Sequence, residues 1–231
     1  MLDKTKIKSI IFDVDGTLRD TDNEIVRGIE LFLLKFEFFI SSKNAQTAAR
    51  SIVMNIENPA QFILHYADKW GWDTFIHQVI QGIRWLLKPF KNNRNFQTIE
   101  GIKPMIVELD KHYPLGIASA GNEQTLRAFL AHADIAQYFV CVATALTCRH
   151  TKPFADPVVW AALQMGVEVE NCIMVGDTTV DMLAGKNAKT QTVAVLCGFG
   201  EREELEALKP NVILSTTADL TAILISNFLK I

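Results

Sequence analysis

Short runs of apolar residues recur along the chain, and turn-forming or polar residues close each of them. Runs of this length are typical of strands buried on both faces, because a strand with one solvated face alternates apolar and polar side chains. The segments between the runs have the residue spacing of helices. The predicted strands are Ile7–Phe12, Leu115–Ala118, Tyr138–Ala143, Cys172–Val175 and Thr192–Leu196, and the predicted helices are 102–112, 122–133, 156–166 and 179–188.

Strands and helices that alternate in this way predict an α/β fold with a Rossmann-like, three-layer core, in which helices cover both faces of a parallel sheet. In such sheets ligands bind at the carboxyl ends of the strands. Polar residues that directly follow a predicted strand are therefore the first candidates for a functional site.

The alternation stops after Thr17 and resumes near residue 98. A segment of this length is too long for a loop, so we expect an all-helical cap domain, residues 19–93, inserted after the first strand of a core formed by 1–18 and 94–231. Its many aromatic residues are expected to form mainly the cap's own core, while a few line a substrate pocket. The predicted cap helices are 22–36, 44–56, 59–69 and 72–88.

Composition and charge narrow the function classes. The chain has 231 residues, 49% of them hydrophobic and 21% charged, which is typical of a well-packed globular protein. The net charge is −3 and no long run of Lys or Arg occurs, which argues against a nucleic-acid partner. The most apolar early stretch, residues 31–40, contains charged residues and is too short to span a membrane. With no apolar signal core at the N-terminus, we expect a cytoplasmic protein without a membrane partner.

The four cysteines form no CxxC pair. Cys141, Cys172 and Cys197 lie in apolar, strand-like runs, whereas Cys148 does not. Buried free thiols are therefore expected rather than disulfides or a zinc site.

The first predicted strand runs directly into Asp13-Val14-Asp15-Gly16-Thr17. Residues i and i+2 of a strand point the same way, so both carboxylates leave the strand tip on one side. Gly16 permits a sharp turn, and Thr17 adds a hydroxyl. One carboxylate can attack a substrate while the other transfers a proton, which is the apparatus of covalent group transfer. The alternative is an ordinary Asp-rich turn after a buried strand.

Two further residues could bind or balance an anion. Ser119 ends the second predicted strand, where its hydroxyl and the next backbone N–H can bind an oxyanion, although a helix N-cap is the alternative role. Lys152 is followed by Pro153 and precedes a helix whose predicted N-cap is Asp156. A rigidly flanked lysine can hold a charge in place, although a lone lysine is usually solvated.

Asp177 and Asp181 follow the fourth predicted strand. Because they are four residues apart, both can face the same side of the first turn of a helix. Capping explains one of these acids but explains the pair less well, and acid pairs with water are typical of Mg²⁺ sites. Four aspartates, counting Asp13 and Asp15, and one lysine leave a charge of about −3 at a site for an anionic substrate. This imbalance predicts a divalent cation, Mg²⁺.

The order of these motifs resembles that of the haloacid dehalogenase-like hydrolase superfamily. Two features resemble the helical-cap, phosphoglycolate phosphatase-like branch of this superfamily. They are the insertion after the first motif and the segment 193–200 with the acidic residues after it. The resemblance spans residues 7 to about 200. Its four motifs are Asp13-x-Asp15-Gly-Thr, Ser119, Lys152-Pro153 and Gly176-Asp177-x-x-x-Asp181.

The resemblance implies a role for each residue. Asp13 would be the nucleophile that forms an aspartyl-phosphate, Asp15 would be the general acid and base, and Lys152 would orient Asp13 and offset charge. The groups implied to bind the phosphoryl oxygens are Gly16, Thr17, Ser119 and the Ala120 N–H. The implied Mg²⁺ ligands are the carboxylates of Asp13 and Asp177, the backbone carbonyl of Asp15, and Asp181 directly or through water.

The implied function is a Mg²⁺-dependent phosphatase that hydrolyses a small phosphate monoester, with a small phosphorylated metabolite as its partner. Two residues depart from the family pattern: Ala120 stands where many members carry Asn, and Ala155 replaces a common second proline. These departures are expected to alter substrate contacts or loop stiffness rather than abolish activity. A sugar phosphomutase shares all four motifs and stays open as an alternative. A degenerate phosphate-binding regulator is a further alternative, which the intact acids and Lys152 disfavour.

Two other reactions of the superfamily fit the residues less well. A dehalogenase needs neither Asp15 nor a metal, and a phosphonatase needs a Schiff-base lysine in the cap. The residues do not choose among phosphoglycolate, a sugar phosphate, a nucleotide and pyrophosphate as the substrate. They also leave open whether the protein is a monomer or a homodimer.

Overall fold

A six-stranded parallel sheet forms the centre of the described residues, which are 1–20 and 96–225 of this computed structural model. The strand order is β3-β2-β1-β4-β5-β6, and every neighbouring pair is parallel. The strands are β1 (Ser9–Phe12), β2 (Leu115–Ala118), β3 (Phe139–Ala143), β4 (Cys172–Gly176), β5 (Gln191–Val195) and β6 (Val212–Leu214).

Helices follow the strands and give the three-layer α/β architecture that the sequence predicts. Short 3₁₀ turns occur at Ala136–Tyr138, Val169–Asn171 and Thr217–Asp219. The helices are α1 (Ile102–Asp110), α2 (Glu123–His132), α3 (Asp156–Gln164), α4 (Thr179–Asn187), α5 (Arg202–Ala207) and α6 (Leu220–Ile225).

The apolar run of β1 has no solvated face because each side of the sheet carries a hydrophobic cluster. Ile10 and Phe12 belong to one cluster with buried residues of α1, α2 and α6, among them Ile106, Phe129 and Leu224. Ile11 belongs to the other cluster, with buried residues of α3 and α4 such as Val158 and Ala184. Alternate side chains of a strand point to opposite faces, so one short strand contributes to both clusters.

The strand order determines where the carboxyl ends open into a crevice. Starting from β1, the chain first adds β2 and β3 on one side, and then crosses to β4, β5 and β6 on the other. Ligands of doubly wound sheets bind outside the carboxyl ends at such a switch point. The residues after β1 and β4 lie side by side here, since Phe12 is in register with Val175.

The five strands predicted from the apolar runs are all present, with ends that differ by no more than two residues. β6 was not predicted from the sequence; it has three residues, two of them only half-buried. The bounds of α5 and α6 were not predicted either. The N-cap prediction for α3 was wrong by one residue: Ala155 occupies that position, and Asp156 is the first helical residue.

The predicted cap, residues 19–93, lies outside the described residues except for Arg19 and Asp20, so the domain boundaries stay a prediction. All four cysteines are free; Cys141 and Cys172 are buried, whereas Cys148 and Cys197 are half-buried. Within residues 1–20 and 96–225, no helix has the length and apolar character that crossing a membrane requires.

Candidate active site

Three buried aspartates meet at the switch point. Asp13, Asp177 and Asp181 each offer one carboxylate oxygen, and these oxygens all lie within 4.8 Å of one another. The buried ammonium of Lys152 donates to Oδ1 of Asp13 and to Oδ1 of Asp181, each at 2.5 Å. Residues separated by 139 positions in the sequence therefore form one ion-pair network.

Each member of this cluster is placed by a different element. Asp13 directly follows β1, and its backbone N–H donates to the Val175 carbonyl at 2.9 Å, which continues the sheet pairing by one residue. Asp177 directly follows β4, and Asp181 lies in the first turn of α4. Lys152 lies in the loop between β3 and α3, and the Asn187 side chain of α4 anchors this loop by donating to the Pro153 carbonyl at 2.9 Å.

The carboxylate of Asp177 is held at both oxygens. The Thr17 hydroxyl donates to Oδ1 at 2.9 Å, and the Phe199 backbone N–H donates to Oδ2 at 2.8 Å. Two glycines make room for it: a Cβ at Gly16 or Gly198 would overlap the carboxyl group, and Gly16 also has a φ of +82°. Asp177 is therefore fixed by the turn after β1 and by the loop after β5.

Asp181 has a capping role as well as an ion-pair role. Its Oδ2 accepts from the Thr178 backbone N–H at 3.0 Å and from the Thr178 hydroxyl at 2.6 Å, and the two residues form a capping box at the start of α4. Its Oδ1 accepts from Lys152. Capping thus accounts for one acid of the pair, as the sequence suggested, and the same side chain still contributes charge to the cluster.

Asp15 lies apart from the buried cluster and is more exposed, with 36% of its side chain accessible. Its Oδ1 lies 3.3 Å from Nη1 of Arg19. A Cβ built on Gly121 would lie 3.6 Å from Asp15 Oδ2 and 3.1 Å from the Ser119 hydroxyl oxygen. The second carboxylate of the motif therefore faces the loop after β2.

That loop carries the remaining predicted anion-binding groups. Ser119 is buried, and its hydroxyl oxygen accepts from the Gly121 backbone N–H at 3.0 Å. Ala120 is exposed. A small pocket between this loop and the turn after β1 is lined by Val14, Asp15, Arg19, Ser119, Gly121, Asn122, Thr125, Leu126 and Phe129.

Gly16 and Thr17 use their hydrogen-bond donors within the protein. The Gly16 N–H donates to the Arg19 carbonyl at 2.9 Å, and the Thr17 N–H donates to the Val14 carbonyl at 3.2 Å. The Thr17 hydroxyl is engaged by Asp177. In this arrangement the two residues shape the turn and hold Asp177, and their contact with a phosphoryl group stays a prediction.

Burial dominates the electrostatics of the cluster. It raises the pKa of Asp13 to about 8; the Lys152 ammonium opposes this shift, and the charges of Asp181 and Asp15 add to it. Burial likewise raises the pKa of Asp177, helped by Asp181 and Asp13 and opposed by the donors of Phe199 and Thr17. Burial lowers the pKa of Lys152, but Asp13 and Asp181 outweigh it, so that pKa lies above its ordinary value.

A divalent cation fits this donor set. When all are ionised, the three carboxylates and Lys152 carry a net charge of −2 in a site from which water is largely excluded. Carboxylate oxygens are the ligands that hard cations such as Mg²⁺ and Ca²⁺ prefer. Among the described residues, the cluster includes no Cys or His that would favour a softer metal.

Two partners of the predicted acids were not predicted from the sequence. Arg19, which pairs with Asp15, was assigned only to the start of the cap, although opposite charges four residues apart are a recognisable signal. The Phe199 N–H, which holds Asp177, has no side-chain signal. The only indication was the pair of glycines beside it, because glycines permit a close approach of the backbone.

Comparisons with known proteins agree with the fold and identify the family. The sequence profile of the family described as haloacid dehalogenase-like hydrolase matches residues 10–195. The chain is 30% identical over 226 residues to pyrophosphatase PpaX of Bacillus mycoides, with 95% of this chain and 97% of that protein covered.

Solved structures with the same fold include a hydrolase from Pseudomonas syringae, with a TM-score of 0.71, 22% identity and coverage of 95% of this chain and 98% of that one. Another is a HAD family hydrolase from Deinococcus radiodurans with bound phosphate and sodium, with a TM-score of 0.66, 18% identity and 97% of both chains covered. The family match spans the elements that carry all four acids and Lys152. The chain therefore belongs to the haloacid dehalogenase-like hydrolases, as a phosphoric ester hydrolase of their phosphatase-like branch.

Proposed function

We propose that the protein is a Mg²⁺-dependent phosphatase that cleaves a small phosphate ester through an aspartyl-phosphate on Asp13. The observation that carries this proposal is that the two acids of one turn have different surroundings. Asp13 is buried and bonded to Lys152, whereas Asp15 lies outside the cluster and faces the Ser119 loop. A nucleophile must be held in place and kept ionised, for which Asp13 has the Lys152 ammonium, whereas a proton donor must reach the leaving group, for which Asp15 lines the pocket.

In the first step, a carboxylate oxygen of Asp13 forms a bond to phosphorus while the bond from phosphorus to the leaving oxygen breaks. Asp15, in its acid form, gives its proton to that oxygen, so the alcohol, or phosphate in the case of pyrophosphate, departs protonated and Asp15 becomes a carboxylate. The pocket that Asp15 and Ser119 line supports this role, because a leaving group bound there would lie within reach of the proton.

In the second step, Asp15 takes a proton from a water molecule whose oxygen attacks the phosphorus. The bond between phosphorus and Asp13 breaks, so inorganic phosphate leaves and Asp13 is restored as a carboxylate. Asp15 ends the cycle protonated, ready for the next substrate, and no external proton donor is needed.

Lys152 and the fixed donors prepare Asp13 and the phosphoryl group for this reaction. The ammonium holds Oδ1 of Asp13 and favours its ionised form. The Ser119 hydroxyl and the Ala120 N–H would bind phosphoryl oxygens at the adjoining strand end. Mg²⁺, held by Asp13, Asp177 and the Asp15 carbonyl, with Asp181 directly or through water, would supply positive charge to the phosphoryl oxygens.

Pyrophosphate is the first substrate to test. The chain is 30% identical to a protein named pyrophosphatase PpaX over nearly the whole length of both. The Deinococcus radiodurans hydrolase with the same fold contains bound phosphate. The first likeness favours pyrophosphate, whose leaving group is inorganic phosphate, and phosphoglycolate, sugar phosphates and nucleotides are competing candidates that transfer the same phosphoryl group.

The test is a panel of pyrophosphate, phosphoglycolate, sugar phosphates, nucleotides and 4-nitrophenyl phosphate, assayed for phosphate release with Mg²⁺ and with EDTA. We expect release only with Mg²⁺, its loss in Asp13→Asn, and a phosphate adduct on the peptide that contains Asp13 after acid quenching. An exposed-site control, Asp110→Asn, should keep the wild-type rate. Isomerised sugar phosphate without phosphate release would identify a mutase instead, and full activity in EDTA or in Asp13→Asn would overturn the proposal.

A further inference from the structure

The two oxygens of Asp15 have different surroundings. Oδ1 is buried, lies 3.3 Å from Arg19 Nη1, and has no hydrogen-bond partner among the described residues. Oδ2 lies on the side of Gly121 and Ser119, where the phosphoryl group is expected. The carboxyl group is thus oriented with one oxygen inward and the other toward the pocket.

Arg19 is held in place on three sides. Its backbone N–H donates to the Val14 carbonyl and its own carbonyl accepts from the Gly16 N–H, both at 2.9 Å. Its guanidinium lies 5.6 Å from the centre of the Phe96 ring, in a cation–π arrangement. Only 16% of its side chain is exposed. The cation is therefore a fixed point beside a carboxyl group that would otherwise rotate.

Charge, rather than an aligned hydrogen bond, connects the pair. Within the described part of the chain, the buried Nε of Arg19 has no hydrogen-bond partner either. Arg19 is also the only positively charged residue that lines the described pocket between Asp15 and Ser119. These features indicate a role beyond packing, because a purely structural arginine normally satisfies its buried donors.

We propose that Arg19 is a positioning residue for Asp15: it holds Oδ1 inward so that Oδ2 can exchange a proton with the leaving oxygen. This inference rests on the proposed phosphatase mechanism. Without Arg19 the carboxyl group would sample other rotamers, and proton donation would become slower. The effect should be largest where the leaving group most needs the proton, because a good leaving group departs as an anion.

The experiment measures kcat/KM for a series of phosphate monoesters, from 4-nitrophenyl phosphate through phenyl phosphate to alkyl phosphates. The value of kcat/KM reports the steps up to departure of the leaving group, so the later hydrolysis of the aspartyl-phosphate does not mask the effect. The variants are Arg19→Met, Arg19→Lys and Asp15→Asn. Arg19→Met keeps an unbranched side chain beside Phe96, and Asp15→Asn shows the effect of losing the proton donor itself. Arg127→Met is the matched control, because Arg127 also pairs with an acid four residues away, Glu123, but at an exposed position.

We expect Arg19→Met to lose about 10-fold or more in kcat/KM on alkyl phosphates and less than about 3-fold on 4-nitrophenyl phosphate, in the direction of Asp15→Asn. Arg19→Lys should recover part of the loss, since it restores the charge, and Arg127→Met should match the wild type on every ester. The midpoint of thermal unfolding, measured in parallel, separates this selective loss from general destabilisation.

An equal loss of kcat/KM on all esters, or no loss on any, would overturn the role of Arg19. A wild-type enzyme that is active on the series while Asp15→Asn shows no extra sensitivity to the leaving group would instead overturn the assignment of Asp15. A wild type inactive on every ester and on pyrophosphate would refute the proposed function itself, and the inference about Arg19 with it. Activity on pyrophosphate without activity on any ester would overturn the inference about Arg19 alone, because no alcohol would then receive a proton.

Discussion

At the scale of single residues, the site is a balance between burial and charge. Asp13, Asp177 and Asp181 are buried within 4.8 Å of one another, and Lys152 is the one cation bonded to them among the described residues. Such a cluster lowers the stability of the fold, because buried like charges repel one another and lose their hydration. Without bound metal, the stability of the protein should therefore depend strongly on proton binding and on the Lys152 ammonium.

The first prediction concerns the pH dependence of stability without metal. The pKa of Asp13 is raised from an ordinary value of 3.8 to about 8, so the folded state binds this proton more tightly than the unfolded state does. The resulting stabilisation is complete below the unfolded-state pKa and is lost as the pH rises through the folded-state pKa. In EDTA, the midpoint of thermal unfolding should fall between about pH 5 and about pH 8, and it should fall less in Asp13→Asn.

The control for this pH experiment is Asp110→Asn, which changes an exposed acid in the same way. It should keep the wild-type slope. Equal slopes in all three proteins would show that Asp13 does not carry a raised pKa in the folded state.

The second prediction concerns Lys152. Lys152→Met leaves the buried carboxylates without their ammonium, and removal of one partner from a buried ion pair typically costs about 3–5 kcal/mol. We expect a loss of about 3 kcal/mol in the free energy of unfolding at neutral pH, measured by urea denaturation in EDTA. Lys103→Met removes a lysine of similar chemistry from an exposed pair with Asp134, at 2.7 Å, and should change stability little. Losses of equal size in the two variants would contradict the burial argument.

At the scale of elements, the site depends on loops from different parts of the chain that close around one carboxylate. The turn after β1 supplies the Thr17 hydroxyl, and the loop after β5 supplies the Phe199 N–H. Neither donor belongs to the element that carries Asp177, which follows β4. The position of the Asp177 carboxylate therefore depends on all three segments. A substitution in the loop after β5 should move this carboxylate and weaken metal binding at the candidate site.

The third prediction tests this dependence with Gly198→Ala. A Cβ at this position would overlap the Asp177 carboxyl group, so the carboxylate must move. We expect the Mg²⁺ concentration for half-maximal activity to rise about 10-fold or more, the usual scale for loss of support around a metal ligand. The measurement is an activity titration with Mg²⁺.

Gly166→Ala is the matched control for Gly198→Ala. Gly166 has a φ of +67°, and a Cβ added there would meet nothing within 4 Å, so alanine causes backbone strain without touching the site. It should cost about 1 kcal/mol of stability and leave the Mg²⁺ requirement unchanged. A Gly198→Ala variant with the same Mg²⁺ requirement as Gly166→Ala would contradict the proposed support of Asp177 by this loop.

At the scale of the whole molecule, the described segments that flank the predicted insertion pair with each other. The Asp20 N–H donates to the Gln97 carbonyl at 2.9 Å, and the Ile99 N–H donates to the Leu18 carbonyl at 3.1 Å. Arg19 and Thr98 form an antiparallel bridge between these two contacts. The chain thus leaves and re-enters the described core at neighbouring points, as an inserted domain requires.

The fourth prediction follows from this proximity. Because Asp20 and Phe96 end two paired antiparallel segments, a Gly/Ser linker of about four residues can replace residues 21–95. We expect the shortened protein to show a cooperative thermal transition and to hydrolyse 4-nitrophenyl phosphate, while its preference among natural phosphate esters largely disappears. The measurement is the ratio of kcat/KM for the best natural ester to that for 4-nitrophenyl phosphate. An unchanged ratio, or a chain that does not fold, would contradict an inserted cap that governs selectivity.

Much of the fold was predictable because its signals are local. Five apolar runs became five strands, since a buried parallel strand needs an unbroken apolar sequence. The short β6 carried too little of this signal. The grouping of Asp13, Ser119 and Asp177 was also predictable, because each directly follows a strand and parallel strands bring their carboxyl ends to one edge.

The sequence alone determined which residues could carry the chemistry and that their strands would end at a common edge. Only the tertiary structure decided how those residues are held: Lys152 bonded to both Asp13 and Asp181, Asp181 shared with a helix cap, and Asp15 beside Arg19. The reason is physical. Strand periodicity is set by neighbouring residues, whereas burial, orientation and pKa depend on groups that are far apart in the sequence and meet only when the sheet is assembled.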